Sequence, residues 1–264
     1  MKKYILISLS LLNFIFSSCE EVIEYKLDTA DARLVVEGLI TDQPGPYQLR
    51  ISNSRGYLEE GSTAGVNGAL VIISDSEGTT DTLTQVNDGL YQTTKLQGKA
   101  GNTYYLKALV NGETYTAQSY MPAVAPLDSL TFEYKADGHM QEEGYYPYIH
   151  FGDPAGKGNF YRWNVYINGE LAPDELAVLN DDLYDGSYGH ASMQFALKPG
   201  DKLRVEMYGV DKPAYEFWYA LVNQQNSTGS PFESTPANAP GNISNGAMGY
   251  FGASAVTVAE GVAE

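Results

Sequence analysis

Asn111-Gly112 is the tightest constraint in this chain. A two-residue type I′ hairpin needs positive φ at both central positions, and Asn followed by Gly is the pair that tolerates it. The flanking residues carry the matching period. In Thr103–Val110, Tyr104, Leu106, Ala108 and Val110 fall on one side, and Tyr105, Lys107 and Leu109 on the other. A hairpin with one apolar face must bury that face, so the chain is committed to an antiparallel sheet packed on something else.

The same alternation, broken by turn chemistry, recurs on both sides of this hairpin. Strands are expected at Leu34–Thr41, Tyr47–Asn53, Ala69–Ser74, Thr80–Val86 and Gly89–Thr93 before it, and at Glu113–Ser119 after it. Pro44-Gly45-Pro46, Ser76-Glu77-Gly78 and Asn87-Asp88-Gly89 supply the turns. Seven short strands in 34–121 suggest an immunoglobulin- or transthyretin-like β-sandwich. Pro122 and Pro126 interrupt pairing, which places a linker at 122–128. A second β-rich domain, 129–264, is expected to hold strands at Ser129–Lys135, Tyr146–Phe151, Asn159–Asn168, His190–Leu197, Lys202–Val210 and Ala247–Val258. It also carries one helix over about 213–226. Asp211 stands near the helix cap, Pro213 suits the first turn, and Tyr215, Trp218, Tyr219 and Val222 share one apolar stripe. The fold class is therefore mainly β, in two domains.

The N-terminus determines where such a domain is delivered. Lys2 and Lys3 precede an apolar run from Tyr4 to Phe16, then Ser17-Ser18 and Cys19, the sole cysteine. This is the layout of a secretory signal peptide (1–18), and the run is too short to span a bilayer. A cysteine directly after small residues resembles the lipobox of bacterial lipoproteins, which implies acylation of Cys19 and attachment to a membrane without a transmembrane helix. Residues 19–33 then form a tether, and Glu20, Glu21 and Glu24 resemble a signal for export to the cell surface.

Charge narrows the partners. The net charge of -17 repels phosphate backbones and argues against nucleic acid. With no second cysteine, disulfides cannot staple the fold, and its stability has to come from packing.

Catalytic patterns are thin. Gly61-Ser62-Thr63-Ala64-Gly65 places its serine one position early for a nucleophile elbow. His139, His150 and His190 have no metal-ligand spacing. Asp181-Asp182-Leu183-Tyr184-Asp185-Gly186 has Leu183 where a calcium loop needs an oxygen, so it reads as a tight acidic turn. No catalytic residue, metal ligand or cofactor is assigned, and the chain is expected to bind rather than transform. Tyr146, Tyr148 and Trp163 are candidate ligand contacts within an aromatic-rich stretch, and Trp218 is another on the helix; core packing is the competing use of these rings. Asp28-Thr29-Ala30, Asp81-Thr82-Leu83 and Asp128-Ser129-Leu130 match a short O-glycosylation motif at Thr29, Thr82 and Ser129.

Several stretches together carry a family resemblance. They are Leu34-Val35-Val36-Glu37-Gly38 with Ile40-Thr41-Asp42, Gly45-Pro46-Tyr47, Gly89-Leu90-Tyr91, and Gly101-Asn102-Thr103-Tyr104. To these are added Asp181 to Gly186, Pro236-Ala237-Asn238-Ala239-Pro240-Gly241-Asn242-Ile243-Ser244-Asn245-Gly246, and Gly249-Tyr250-Phe251-Gly252-Ala253. The chain resembles the Bacteroidota domain of unknown function 4249, predicted outer-membrane lipoproteins often encoded beside TonB-dependent transporters. The resemblance implies an outer-membrane location, outward-facing, and an accessory role beside such a transporter with a glycan or peptide ligand. It also singles out Asn242 and Tyr250, in the signature, as candidate contacts. An adhesion or envelope-structural lipoprotein is the alternative, and a glycan hydrolase a remoter one.

Overall fold

The computed structural model describes residues 31–56, 61–138, 141–172, 176–227 and 238–264. The expected signal peptide, Cys19 and nearly all of the tether lie outside the described residues. The strands are β1 (Leu34–Thr41), β2 (Gln48–Asn53), β3 (Leu70–Asp75), β4 (Thr80–Thr82), β5 (Thr84–Asn87), β6 (Leu90–Gln92), β7 (Thr103–Val110) and β8 (Glu113–Tyr120). There follow β9 (Leu127–Lys135), β10 (Gly144–Gly152), β11 (Phe160–Ile167), β12 (Glu170–Leu171), β13 (Ala177–Asn180), β14 (Tyr188–Ser192) and β15 (Lys202–Val210). A helix, α1 (Lys212–Gln225), and the final strand β16 (Met248–Val262) complete the chain. The protein is mainly β.

Turn chemistry sets these boundaries. Asn111 and Gly112 both take positive φ (50° and 87°), as the hairpin between β7 and β8 requires, and Asn168 with Gly169 repeats the device between β11 and β12. The expected strand Thr80–Val86 divides at Leu83. Leu83 N donates to Val71 O at 2.9 Å and its side chain enters the core, so β4 pairs with β3 while β5 crosses to pair with β6.

Three sheets result. The largest has nine strands along the path β12-β11-β15-β16-β1-β2-β6-β5, with β13 also on β11; β4-β3-β7-β8 and β14-β10-β9 are the others. One core lies between β1, β2, β6 and the first half of β16 on one side, and β3, β7 and β8 on the other. It holds Val36, Leu49, Ile51 and Phe251 against Val71, Ile73, Tyr104 and Leu106. A second core sets Tyr161, Trp163, Val205 and Met207 of β11 and β15 against Ile149 and Phe151 of β10.

The expected separation at 122–128 meets a difference here. Residues 122–126 do lie outside any strand, but the chain on either side is joined in one sheet, and 32–264 form a single compact unit. The joint is β16, longer than its expected span of Ala247–Val258. Its residues 248–254 pair in parallel with β1, and 255–262 pair antiparallel with β15. Phe251, Ala253 and Ala255 belong to the first core and Ala263 to the second. Between them, Thr257 Oγ1 accepts from Leu127 N (3.2 Å), and a Cβ on Gly261 would come within 2.8 Å of Phe132. Small inward side chains along β16 thus let both smaller sheets approach one strand. Pairing of the first strand with the last is a contact of very long sequence range, which local periodicity cannot register.

The helix covers the reverse face of the long sheet. Asp211 caps it through Ala214 N at 3.0 Å and also accepts from Tyr120 N, Ser119 Oγ and Tyr250 OH, so the helix start is tied to β8 and β16. The inward stripe differs from the expected one by a small rotation. Ala214 is buried, Phe217 and Trp218 pack inward, and Tyr219 is half exposed, stacked on Tyr215. The cause is Tyr250, whose ring stacks on Phe217 at 4.8 Å.

Candidate functional site

Alternation along β11, β15, β16 and β1 sends Arg162, Tyr208, Tyr250 and Leu39 to the face under α1. The helix does not seat flush there. A cavity of about 480 Å³ remains, lined by Glu37, Gly38, Leu39, Arg162, Phe217, Trp218, Leu221, Gly249, Tyr250 and Gly252. That volume lies within the ~300–1,000 Å³ of small-molecule sites, and the lining is mostly apolar with few charged groups, as such sites usually are.

Arg162 is the unusual group. It is only 6% exposed. Its guanidinium carbon lies 4.3 Å from the centroid of the Tyr208 ring and 4.4 Å from that of Trp218, so the charge is held between two π faces. Among the described residues its Nε has no hydrogen-bond partner and the guanidinium has no ion pair. Glu206, the nearby acid, is already engaged by Arg204 at 2.9 Å and by the Tyr208 hydroxyl at 2.6 Å. Burial pushes the Arg162 pKa down, and Tyr208, Tyr166 and Glu206 pull it back. Burial and the Asp211 carboxylate likewise push the Tyr250 phenol upward, so Tyr250 acts as a neutral ring.

The structure brings together two candidates from the sequence, Trp218 and Tyr250, and adds Arg162, Leu39, Phe217 and Leu221. Arg162 was legible only as the outward residue of the alternating Tyr161-Arg162-Trp163; that a helix would cover it depends on tertiary packing.

The remaining candidates lie elsewhere. Trp163 is a core residue, 5% exposed, facing away from α1. Tyr146 and Tyr148 share the outer face of β10 with Lys135 of β9 at 4.6 and 5.7 Å from their rings. The Tyr148 hydroxyl donates to Glu133 at 2.6 Å, and His190 packs edge-on at 5.4 Å. Asn242 is a structural clamp. Its Nδ2 donates to Gln118 O (3.0 Å) and Phe251 O (2.7 Å), and its Oδ1 accepts from Phe251 N (2.9 Å), fastening the signature loop across β8 and β16. Ser244 adds a bond to Thr116 N at 2.8 Å. Thr82 and Ser129 are exposed. Thr29, like Cys19, lies outside the described residues. In the Asp81-Thr82-Leu83 motif, Asp81 has a separate use: it is 1% exposed and accepts from the backbone N–H groups of Thr94, Lys95 and Leu96, and from the Thr94 hydroxyl.

The acidic turn joins a second group. Asp153, Asp181 and Asp185 bring carboxylate oxygens within 4.8 Å of one another, an oxygen set suited to a hard cation. Much of that capacity is already taken. Asp181 accepts from Gly158 N and Asn159 N, Asp153 from Tyr161 OH and Gly186 N, and Asp185 from Gly156 N, so the cluster ties together two loops. Burial, and then the Asp153 carboxylate, pushes the Tyr161 phenol far up, which keeps it a donor.

None of the curated proteins matches this chain. Among solved structures, an adhesin, InvE, of Yersinia pseudotuberculosis is 14% identical over 68% of this chain, with a TM-score of 0.22. This chain covers 55% of that one, about half its length, and the superposition is too poor to carry an argument. A family model matches residues 20–260, and the chain accordingly belongs to the family of domain of unknown function 4249 (DUF4249).

Proposed function

We propose that this protein is an outer-membrane lipoprotein, anchored through acylated Cys19 and facing the cell exterior, that works by binding as an accessory to a TonB-dependent transporter. The observation that carries the binding reading is the cavity under α1, walled by Trp218, Phe217 and Tyr250 on a rigid sheet. Rings fixed on helix and strand offer contact area at little ordering cost. The anchor reading draws on the leader and Cys19. Among the described residues no helix is long and apolar enough to cross a membrane. The partner reading rests on the family resemblance and is an analogy.

An adhesion or envelope-structural role is the second reading. It is favoured by the outward face of the β4-β3-β7-β8 sheet, where Leu70 and Leu109 stand exposed opposite one another and Tyr105 is exposed further along the same face. Pull-down of the native protein from detergent-solubilised membranes separates the two. Recovery of a transporter barrel supports the first, and recovery of surface polymers without a barrel overturns it. Cys19→Ser should move the protein from the membrane pellet to the soluble fraction; a variant still found in the pellet would sink the anchor.

A further inference from the structure

We propose that the cavity under α1 binds a small organic carboxylate with an aromatic or branched apolar body. The Arg162 guanidinium donates to the carboxylate, and Leu39, Phe217, Trp218 and Tyr250 enclose the body. This rests on the binding reading above and names its ligand class, independently of any transporter.

The argument begins from the cost of Arg162. Burying a guanidinium at 6% exposure without a counter-ion is expensive, and the usual remedy is a buried carboxylate with matched hydrogen bonds. Here the two ring faces and a hydrogen bond with Tyr208 meet only part of that demand. Glu206 does not meet it, since Arg204 and Tyr208 hold its oxygens. Instead, the arginine lines a cavity with room for an occupant, and its Nε has no partner among the described residues. A carboxylate fits the planar fork of Arg better than other common acceptors. Glu37, the other charged group of the lining, adds a negative charge to the same cavity. It therefore disfavours dianions such as phosphate and leaves a monocarboxylate as the better match. The mostly apolar lining selects a ligand with a hydrocarbon body over a sugar, whose hydroxyls would find few partners there.

Gly252 supplies a way to close the cavity without touching Arg162. It lies in extended backbone on the cavity face, and a Cβ there would first meet the flexible end of Leu39, at 3.3 Å. Gly252→Leu should therefore fold and fill the space.

The test is titration calorimetry on the full chain purified in detergent, with 3-phenylpropionate, its uncharged amide, and N-acetylphenylalanine. The acids should bind, and the amide should bind roughly 10- to 100-fold more weakly, the worth of a charge-assisted hydrogen bond. Arg162→Met should erase the preference for acid over amide, and Gly252→Leu should lose both. Binding of N-acetylphenylalanine alone would identify the ligand as a peptide C-terminus, and binding of 3-phenylpropionate alone a free acid; either supports the carboxylate site. If neither acid binds the wild type, if acid and amide bind equally, or if Gly252→Leu binds as the wild type does, the proposal is overturned. Should Arg162→Met fail to fold, the acid–amide contrast and Gly252→Leu still decide it. A pull-down that recovers no transporter leaves these results untouched, so the two readings fail separately.

Discussion

Asp81 and Arg162 are both buried charges, at 1% and 6% exposure, and they have opposite surroundings. Asp81, between the first core and the 94–96 loop, accepts four hydrogen bonds, three from consecutive backbone N–H groups. Burial alone would raise its pKa, but those bonds outweigh burial and hold it below the usual carboxylate range. Arg162, under the helix, has two aromatic faces and an Nε without a partner among the described residues. The difference teaches how to tell scaffold from site: a buried charge with its bonding capacity used is holding the chain together, and one with capacity spare beside a cavity is available to something else.

Substitution should separate the two by size and sign. Asp81→Asn should have the largest effect, a loss of about 2–3 kcal/mol, because it leaves backbone donors facing an amide instead of a carboxylate. In a chain of this length that lowers Tm by roughly 5–10 °C, measurable by thermal melting. The same group predicts a pH dependence. Its folded pKa lies below the unfolded value near 3.9, so its contribution is complete above that value and is lost as pH falls through the folded pKa. Urea midpoints should fall more steeply on acidification in the wild type than in Asp81→Asn; parallel slopes would remove Asp81 from the explanation. Asp211→Ala comes next, at about 1–2 kcal/mol, since it removes the helix cap together with the bonds to β8. It should also loosen the cavity roof, read as faster hydrogen exchange in α1. Arg162→Met should have the smallest effect on stability, within about 1 kcal/mol, because removing an uncompensated buried charge offsets the lost cation–π contacts. A drop as large as that of Asp81→Asn would break the comparison and make Arg162 another piece of scaffold.

The N-terminal half was the easier to read. Alternation and turn pairs place β1 and β7 at their observed ends, and β7 buries one face and leaves the other wet. The second half was harder. β12 and β13 are two and four residues long, too short for a period to declare itself. β16 exceeded its expected end because Ala259, Glu260 and Gly261 carry no strand signal of their own and are held by pairing with β15. At the site, Trp218 was within reach because it lies on the apolar stripe of the expected helix, and Tyr250 because it lies in the family signature. Asn242, also singled out, proved to be a clamp, since a signature loop is as useful for closing a fold as for touching a ligand.

What the sequence determined by itself was everything governed by neighbours a few residues apart: the strand periods, the type I′ turns at Asn111 and Asn168, the cap at Asp211, and the acidic surface. Only the tertiary structure decided that the last strand joins the first, so that two cores share β16, and that α1 stops short of the sheet above Arg162. The reason is the same in both cases. Pairing partners and cavities are set by side chains that meet from far apart along the chain, and no local pattern records which of them will face each other.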